Sequence, residues 1–176
     1  MKVSSRLRRR FGLDPATFVA LSGGEGHATF RSDELVVRFE RAPVDELQWQ
    51  YALVRFLSES VPEVIAPLAV EDGVSVWPFV AGRHARRRSR EDALAAADVL
   101  RRLHHAGRRW HGGQRPRART TAGEGERGPI HGDFYGRNIL MRRRAVVGLF
   151  DWEDSCADLL EYELAARGGR RRTSSR

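Results

Sequence analysis

His131-Gly132-Asp133, with Asn138 five positions past the aspartate and an apolar run ending at Asp151-Trp152-Glu153, is where this chain could do chemistry. The residue types suit phosphoryl transfer. One carboxylate faces an acceptor hydroxyl, while an amide oxygen and a second carboxylate hold Mg²⁺ against phosphate groups. Mg²⁺ prefers oxygen donors, commonly one or two carboxylates completed by phosphate oxygens and water. Asp133 therefore reads as the acceptor-side carboxylate, and Asn138 and Asp151 read as metal ligands. Asp133 and Asn138 share one loop, so the first can face the acceptor while the second reaches back to the metal. Val146-Val147-Gly148-Leu149-Phe150 reads as a buried strand whose end sets Asp151 beside that loop. Taken singly, these residues would read as an Asx-type turn and a solvated acidic cluster; their order and spacing carry the reading. His131 reads as a brace of the loop rather than a proton carrier.

These strings resemble the aminoglycoside phosphotransferase and choline kinase-like group, in which H-G-D-x-x-x-x-N is followed by D-W-E or D-W-D. The resemblance runs from about Leu21 to Ala166. It implies an α+β, protein-kinase-like fold of two lobes, with a small antiparallel-sheet N-lobe and a mainly helical C-lobe. It also implies phosphoryl transfer from ATP, with Mg²⁺, to a small-molecule alcohol. The strings belong to the whole group and name no acceptor.

The upstream half has elements that could complete such a site. Gly23, Gly24 and Gly26 lie between apolar runs, where backbone N–H groups can approach phosphates closely. Leu35-Val36-Val37-Arg38-Phe39 follows as a strand, with Val36 and Arg38 on one face and Leu35, Val37 and Phe39 on the other. In the resembling fold the first face covers the nucleotide, and position 38 holds a phosphate-binding lysine. Here it is arginine, which keeps the charge and grips phosphate with two donors but is bulkier. A helix over 45–60, with Leu47, Tyr51, Val54 and Leu57 in a stripe, supplies Glu46 and Gln50 as candidate partners for Arg38. An Asp72-Gly73 hairpin turn lies within residues 69–76, and residues 77–82 read as the hinge between lobes. There the resemblance assigns adenine pairing to the backbone of Phe79 and Val80. A helix over 91–106, opened by a Ser89-x-x-Asp92 cap, ends in Leu103-His104-His105. By the same resemblance His104 is a structural residue behind the catalytic loop.

Two stretches depart from the pattern. Residues 108–128 are Arg, Gly, Pro, Gln and Thr with hardly an apolar side chain, a composition expected to stay disordered. The resembling enzymes carry helices there. A helix starting at Asp158 gives way to an Arg-rich tail where later helices would wall the acceptor pocket. The expected organisation is a basic N-terminal segment (1–17), an N-lobe (18–82), a reduced C-lobe (83–166) and a tail (167–176). Activity is expected to suffer from that reduction, and a catalytically inactive remnant of the fold is the competing reading.

Composition sets outer bounds. The 176 residues suffice for one core or for two small lobes sharing a cleft. No apolar run approaches a membrane span, and the Arg-rich start lacks the apolar stretch of a signal peptide. The single Cys156 excludes an internal disulfide and suits a reducing cytoplasm. Net charge is +8, with arginine clusters at 8–10, 86–88, 142–144 and 170–172. A nucleic-acid-binding protein is a further reading of that charge. The clusters lack a recognition helix or interleaved aromatics, which counts against it. A +8 chain also does not advertise the acidic pocket that a cationic aminoglycoside would need.

Overall fold

The computed structural model describes residues 3–21 and 28–166. The catalytic candidates lie where an N-terminal sheet with its helices meets a second group of helices and short sheets. The first sheet has five antiparallel strands in the order β1-β2-β3-β5-β4: β1 (Val19–Ala20), β2 (Ala28–Ser32), β3 (Leu35–Phe39), β4 (Ala69–Glu71) and β5 (Val74–Pro78). Asp72 and Gly73 turn between β4 and β5 with φ of 50° and 73°, the paired left-handed geometry that an Asp-Gly hairpin favours.

The alternation of β3 decides what each face meets. Val37 is fully buried, and with Leu35 and Phe39 it packs against Val3, Leu7 and Leu13. Val36 lies against the larger core on the opposite side. Leu7 belongs to α1 (Ser5–Phe11), which Ser4 caps by accepting the Leu7 N–H at 3.1 Å and Gly12 closes at φ 62°. The basic segment expected over 1–17 therefore packs onto the N-terminal sheet. Its arginines point outward while Val3, Leu7 and Leu13 cover β3, β4 and β5.

Helix α2 (Val44–Ser58) buries Leu47, Trp49, Tyr51, Leu53, Val54 and Leu57. They form one core with Val99, Leu100 and Leu103 of α3 (Arg90–Gly107) and with Ile139, Met141 and Leu149. The second part of the chain adds β6 (Arg83–His84), β7 (Arg127–Ile130), β8 (Ile139–Arg142), β9 (Ala145–Leu149), β10 (Cys156–Leu159) and α4 (Leu160–Ala166). Strands β6, β8 and β9 form one antiparallel sheet, and β7 pairs with β10 in another.

Two sequence expectations need correction. Residues 158–159 continue a strand, and the helix begins at Leu160, because Cys156–Leu159 pairs with Arg127–Ile130. Residues 108–128 carry no helix, yet they follow a defined path instead of a disordered one. Their order comes from other elements. Trp110 packs on Trp49 and Phe56 with ring centroids 5.9 and 5.3 Å apart. Gln114 bonds both the N–H and the carbonyl of Ala157, and Thr121 donates its N–H and hydroxyl to Asp158. The tail at 167–176 lies outside the described residues. No described helix is long and apolar enough to cross a membrane.

Candidate active site

The loop after β7 is built around backbone demands. Gly132 has φ 84°, and a Cβ there would overlap the Asp154 carbonyl, so the H-G-D string needs its glycine. His131 is fully buried. It accepts the Asp133 N–H on Nδ1 at 3.3 Å, which leaves Nε2–H to donate to the Phe150 carbonyl at 3.0 Å. Burial holds its pKa below the usual 6.5, so the ring is a neutral strut between the two functional loops, as the sequence expects.

Glu163 completes the brace. Its carboxylate, 2 % exposed, accepts the N–H groups of His131 at 2.6 Å and Gly132 at 3.1 Å, and His104 Nε2 at 2.9 Å. His104 thus stands behind the catalytic loop. Glu163 was not legible beforehand, since a glutamate in a short C-terminal helix has no local mark of this role.

Asp133 and Asn138 are brought together. Asn138 Nδ2 donates to the Asp133 carbonyl and to Asp133 Oδ2, both at 2.8 Å, which turns the amide oxygen to the other side. Arg137 Nη2 donates to the same Oδ2 at 2.8 Å. The Asn138 carbonyl in turn accepts the Phe150 N–H at 3.2 Å, so the residue before Asp151 is fastened to the loop. Asp151 sits at φ 67°, a left-handed conformation unusual for a residue with a side chain. Burial pushes its carboxyl pKa up, the charge of Glu153 adds to that, and Arg38 opposes it.

Arg38 meets neither candidate partner on α2. Its Nη2 donates to Glu153 Oε1 at 2.6 Å, and its Nε lies 3.9 Å from Glu40. Glu40 also accepts from Tyr51 at 2.5 Å and from Ser75. Glu46 is held by Arg115 at 2.7 Å, and Gln50 is buried. Arg115 then extends Nη1 to the backbone carbonyls of Glu153 and Ser155, the latter at 3.3 Å. A cavity of about 300 Å³ opens beside it between residues 115–119 and 153–156. The arginine that ties α2 to the D-W-E loop thus comes from the stretch the sequence marks as aberrant.

At the hinge, the Phe79 N–H donates to the Glu34 carbonyl at 2.7 Å and the Arg31 guanidinium lies over its ring at 3.7 Å. That leaves the Phe79 carbonyl and the Val80 backbone for any adenine pairing. Val80 itself packs near Gly148 of β9. Gly23, Gly24 and Gly26 lie outside the described residues.

The chain resembles solved structures of APH(2'')-IIa: the gentamicin complex matches with TM-score 0.69 at 14 % identity, over 94 % of this chain and 75 % of that one. The streptomycin–ATP complex of that protein matches equally well, at 15 % identity over 93 % and 74 %. Macrolide 2'-phosphotransferase MphH from Brachybacterium faecium gives 0.67 at 13 % identity, over 92 % and 74 %. A choline/ethanolamine kinase family protein from Mesorhizobium loti gives 0.64 at 15 % identity, over 93 % and 70 %. No curated protein matches. The fold is the kinase-like, two-lobed one. A family model matches residues 17–129 and 110–166, and the chain belongs to the phosphotransferase enzyme family.

Proposed function

We propose that this chain is an ATP-dependent phosphotransferase acting on a hydroxyl of a small molecule. The observation that carries the reading is the junction of two loops. Asp133 and Asn138 are bonded to each other, and Asn138 is bonded to the residue preceding Asp151. Asp133 would orient the acceptor hydroxyl and take its proton as the oxygen attacks the γ-phosphorus. Asn138 Oδ1 and the Asp151 carboxylate would hold Mg²⁺, and Arg38 with the turn at Gly23, Gly24 and Gly26 would hold phosphates. The donor set fits a hard cation. Asp151 is half-buried with Glu153 crowding it, a pair of carboxylates that positive charge would relieve. When bound, the metal would neutralise charge on the phosphate oxygens. The neighbours solved with ATP or with aminoglycosides support the nucleotide and the alcohol as the two substrate classes.

Thermal unfolding tests the reading. Mg-ATP should raise the melting temperature, because a ligand bound by the folded state alone stabilises it by mass action. Asp151→Ala should remove the Mg²⁺-dependent part of that rise. An unchanged rise in the variant would rule out the metal assignment. No rise in the parent would favour an inactive remnant of the fold.

A further inference from the structure

We propose that Glu40 positions Arg38 for the nucleotide phosphates, in the place of a carboxylate on α2. The inference rests on the phosphotransferase reading, in which Arg38 holds phosphate, and adds a residue to that site. Neither partner expected on α2 serves Arg38: Glu46 is held by Arg115, and Gln50 is buried and uncharged. Glu40 reaches the guanidinium by strand geometry. It follows β3 directly, and the period of two sets Val36, Arg38 and Glu40 on one face. The Glu40 N–H donates to the Gly73 carbonyl at 2.8 Å, so the chain stays tied to the β4–β5 turn past the end of the strand. Its carboxylate is buried, with Oε1 3.9 Å from Arg38 Nε.

Other side chains fix that carboxylate. The Tyr51 hydroxyl donates to Oε1 at 2.5 Å, and the Ser75 hydroxyl donates to the same oxygen. Trp77 Nε1, which can only donate, bonds Ser75 Oγ at 2.7 Å and so directs the Ser75 proton toward Glu40. Ser75 stands opposite Arg38 in the β3–β5 pairing, and the Trp77 ring lies 5.9 Å from the guanidinium. Donors from α2 and β5 thus converge on one oxygen beside Arg38. Burial and the Glu40 charge push the Tyr51 hydroxyl well above its usual 10, which keeps it a donor. Through Tyr51, α2 still reaches Arg38, with a phenol and Glu40 standing where a direct ion pair would be.

The competing view is a network that only holds the sheet to α2. A buried carboxylate is a poor way to do only that, since well-packed apolar residues of similar volume often stabilise as well or better. What the charge adds is attraction on Arg38 Nε, a buried donor without a hydrogen-bond partner among the described residues. The other anion on Arg38, Glu153, grips Nη2 from a partly exposed side chain on the D-W-E loop. Glu40 is the fixed one of the two, and it sets where the guanidinium points.

The test compares binding of Mg-ATP and of adenosine, which has no phosphate, to the full chain by calorimetry. Glu40→Gln keeps the shape of the side chain and an oxygen for Tyr51 and Ser75, and removes the charge. It should weaken Mg-ATP by about three- to tenfold and leave adenosine unchanged. An anion acting through its field alone would do the reverse, because its removal favours the phosphates. Tyr51→Phe keeps the ring against Trp77, 5.7 Å between centroids, and should weaken Mg-ATP by a smaller factor. In an Arg38→Ala background Glu40→Gln should have no further effect on Mg-ATP, since Glu40 acts through Arg38. Equal or tighter Mg-ATP binding in Glu40→Gln, an equal loss of adenosine, or losses that add in the double variant would each overturn the proposal. Product formation with ATP separates it from the reading beneath it. The expected binding pattern without transfer to any alcohol sinks the phosphotransferase and leaves the role of Glu40. Transfer to an alcohol, with parental Mg-ATP binding in Glu40→Gln, sinks the role of Glu40 and leaves the phosphotransferase.

Discussion

Arg38 on β3 is tied to Glu153, 115 residues further along the chain, by a 2.6 Å ion pair that joins the N-terminal sheet to the D-W-E loop. The arginine proposed to grip phosphate is thus held near Asp151, the carboxylate proposed to grip the metal, whose charge it influences. Its side chain is 13 % exposed and lies 5.9 Å from the ring of Trp77. Arg38 is committed to Glu153 and Glu40, and Glu46 is already engaged by Arg115. Charge is balanced by a different set of partners than the sequence offers.

Removal of the Arg38 charge should therefore act on the nucleotide and on Asp151 together. Arg38→Ala should weaken ATP by roughly tenfold, the loss of one charge-assisted contact to phosphate. It should also raise the Asp151 carboxyl further, because Arg38 is among the charges that lower it. Calorimetry with ATP at neutral and mildly acidic pH reads both effects, and the deficit should widen on the acid side. ATP binding equal to that of the parent would take Arg38 out of the site.

Asp133 should behave in the opposite way. Its side-chain contacts run to Asn138 and Arg137, and in the proposed mechanism it acts on the acceptor and not on the phosphates. Asp133→Ala should keep nucleotide binding within a few-fold of the parent while phosphoryl transfer falls by about a hundredfold or more. Single-turnover transfer to the best acceptor, read beside ATP binding, makes the comparison. Parent-like transfer in the variant would remove Asp133 from the chemistry.

What could be read beforehand was local. The H-G-D-x-x-x-x-N loop, the Asp-Gly hairpin and the two faces of β3 are set by spacing within a few residues, and periodicity reports them directly. Partners distant in the chain leave no such mark. Residues 108–128 look unable to fold because they carry almost no apolar surface, and they order by borrowing Trp49, Phe56, Glu46 and Asp158 from elsewhere. The pairing of Arg127–Ile130 with Cys156–Leu159 leaves no local mark for the same reason, and residues 158–159 read as helix from sequence although they pair as strand. Glu163 acquires its role only once α4 lies behind the catalytic loop.

Arg115 gives that borrowed order its sharpest test. It joins Glu46, 15 % exposed, to the carbonyls of Glu153 and Ser155. Arg115→Ala should cost about 2 kcal/mol, below the usual loss for a broken buried pair because Arg117 lies 3.4 Å from Glu46 and can take over part of it. Arg115→Lys keeps the charge but cannot bridge both sides, so it should recover stability more than Mg-ATP affinity. Denaturant unfolding and nucleotide calorimetry on both variants separate the two effects. An alanine variant with parental stability and parental Mg-ATP affinity would make the link incidental.

Asp92 sets the acid limit of the C-terminal part. Its carboxylate, 2 % exposed, accepts two bonds from Arg83 at 2.7 and 2.8 Å and one from the Arg86 N–H at 2.8 Å. Its own N–H is bonded to Ser89 Oγ at the start of α3. The hydrogen-bonded Arg83 guanidinium holds this carboxyl well below the usual 3.8, with the Arg86 backbone adding to the shift. The folded state therefore binds the proton less readily than the unfolded chain. The stabilisation is complete above about pH 4 and is lost as pH falls through the unfolded value toward the folded one. Asp92→Asn should lower stability by about 2 kcal/mol at about pH 6, since Arg83 is partly exposed and recovers some hydration. By about pH 3 the gap between parent and variant should have narrowed, because the parent is by then losing the same charge. Urea unfolding at both pH values gives the two differences. A gap that stays constant or widens on acidification would mean that the Asp92 charge does not supply the stability assigned to it.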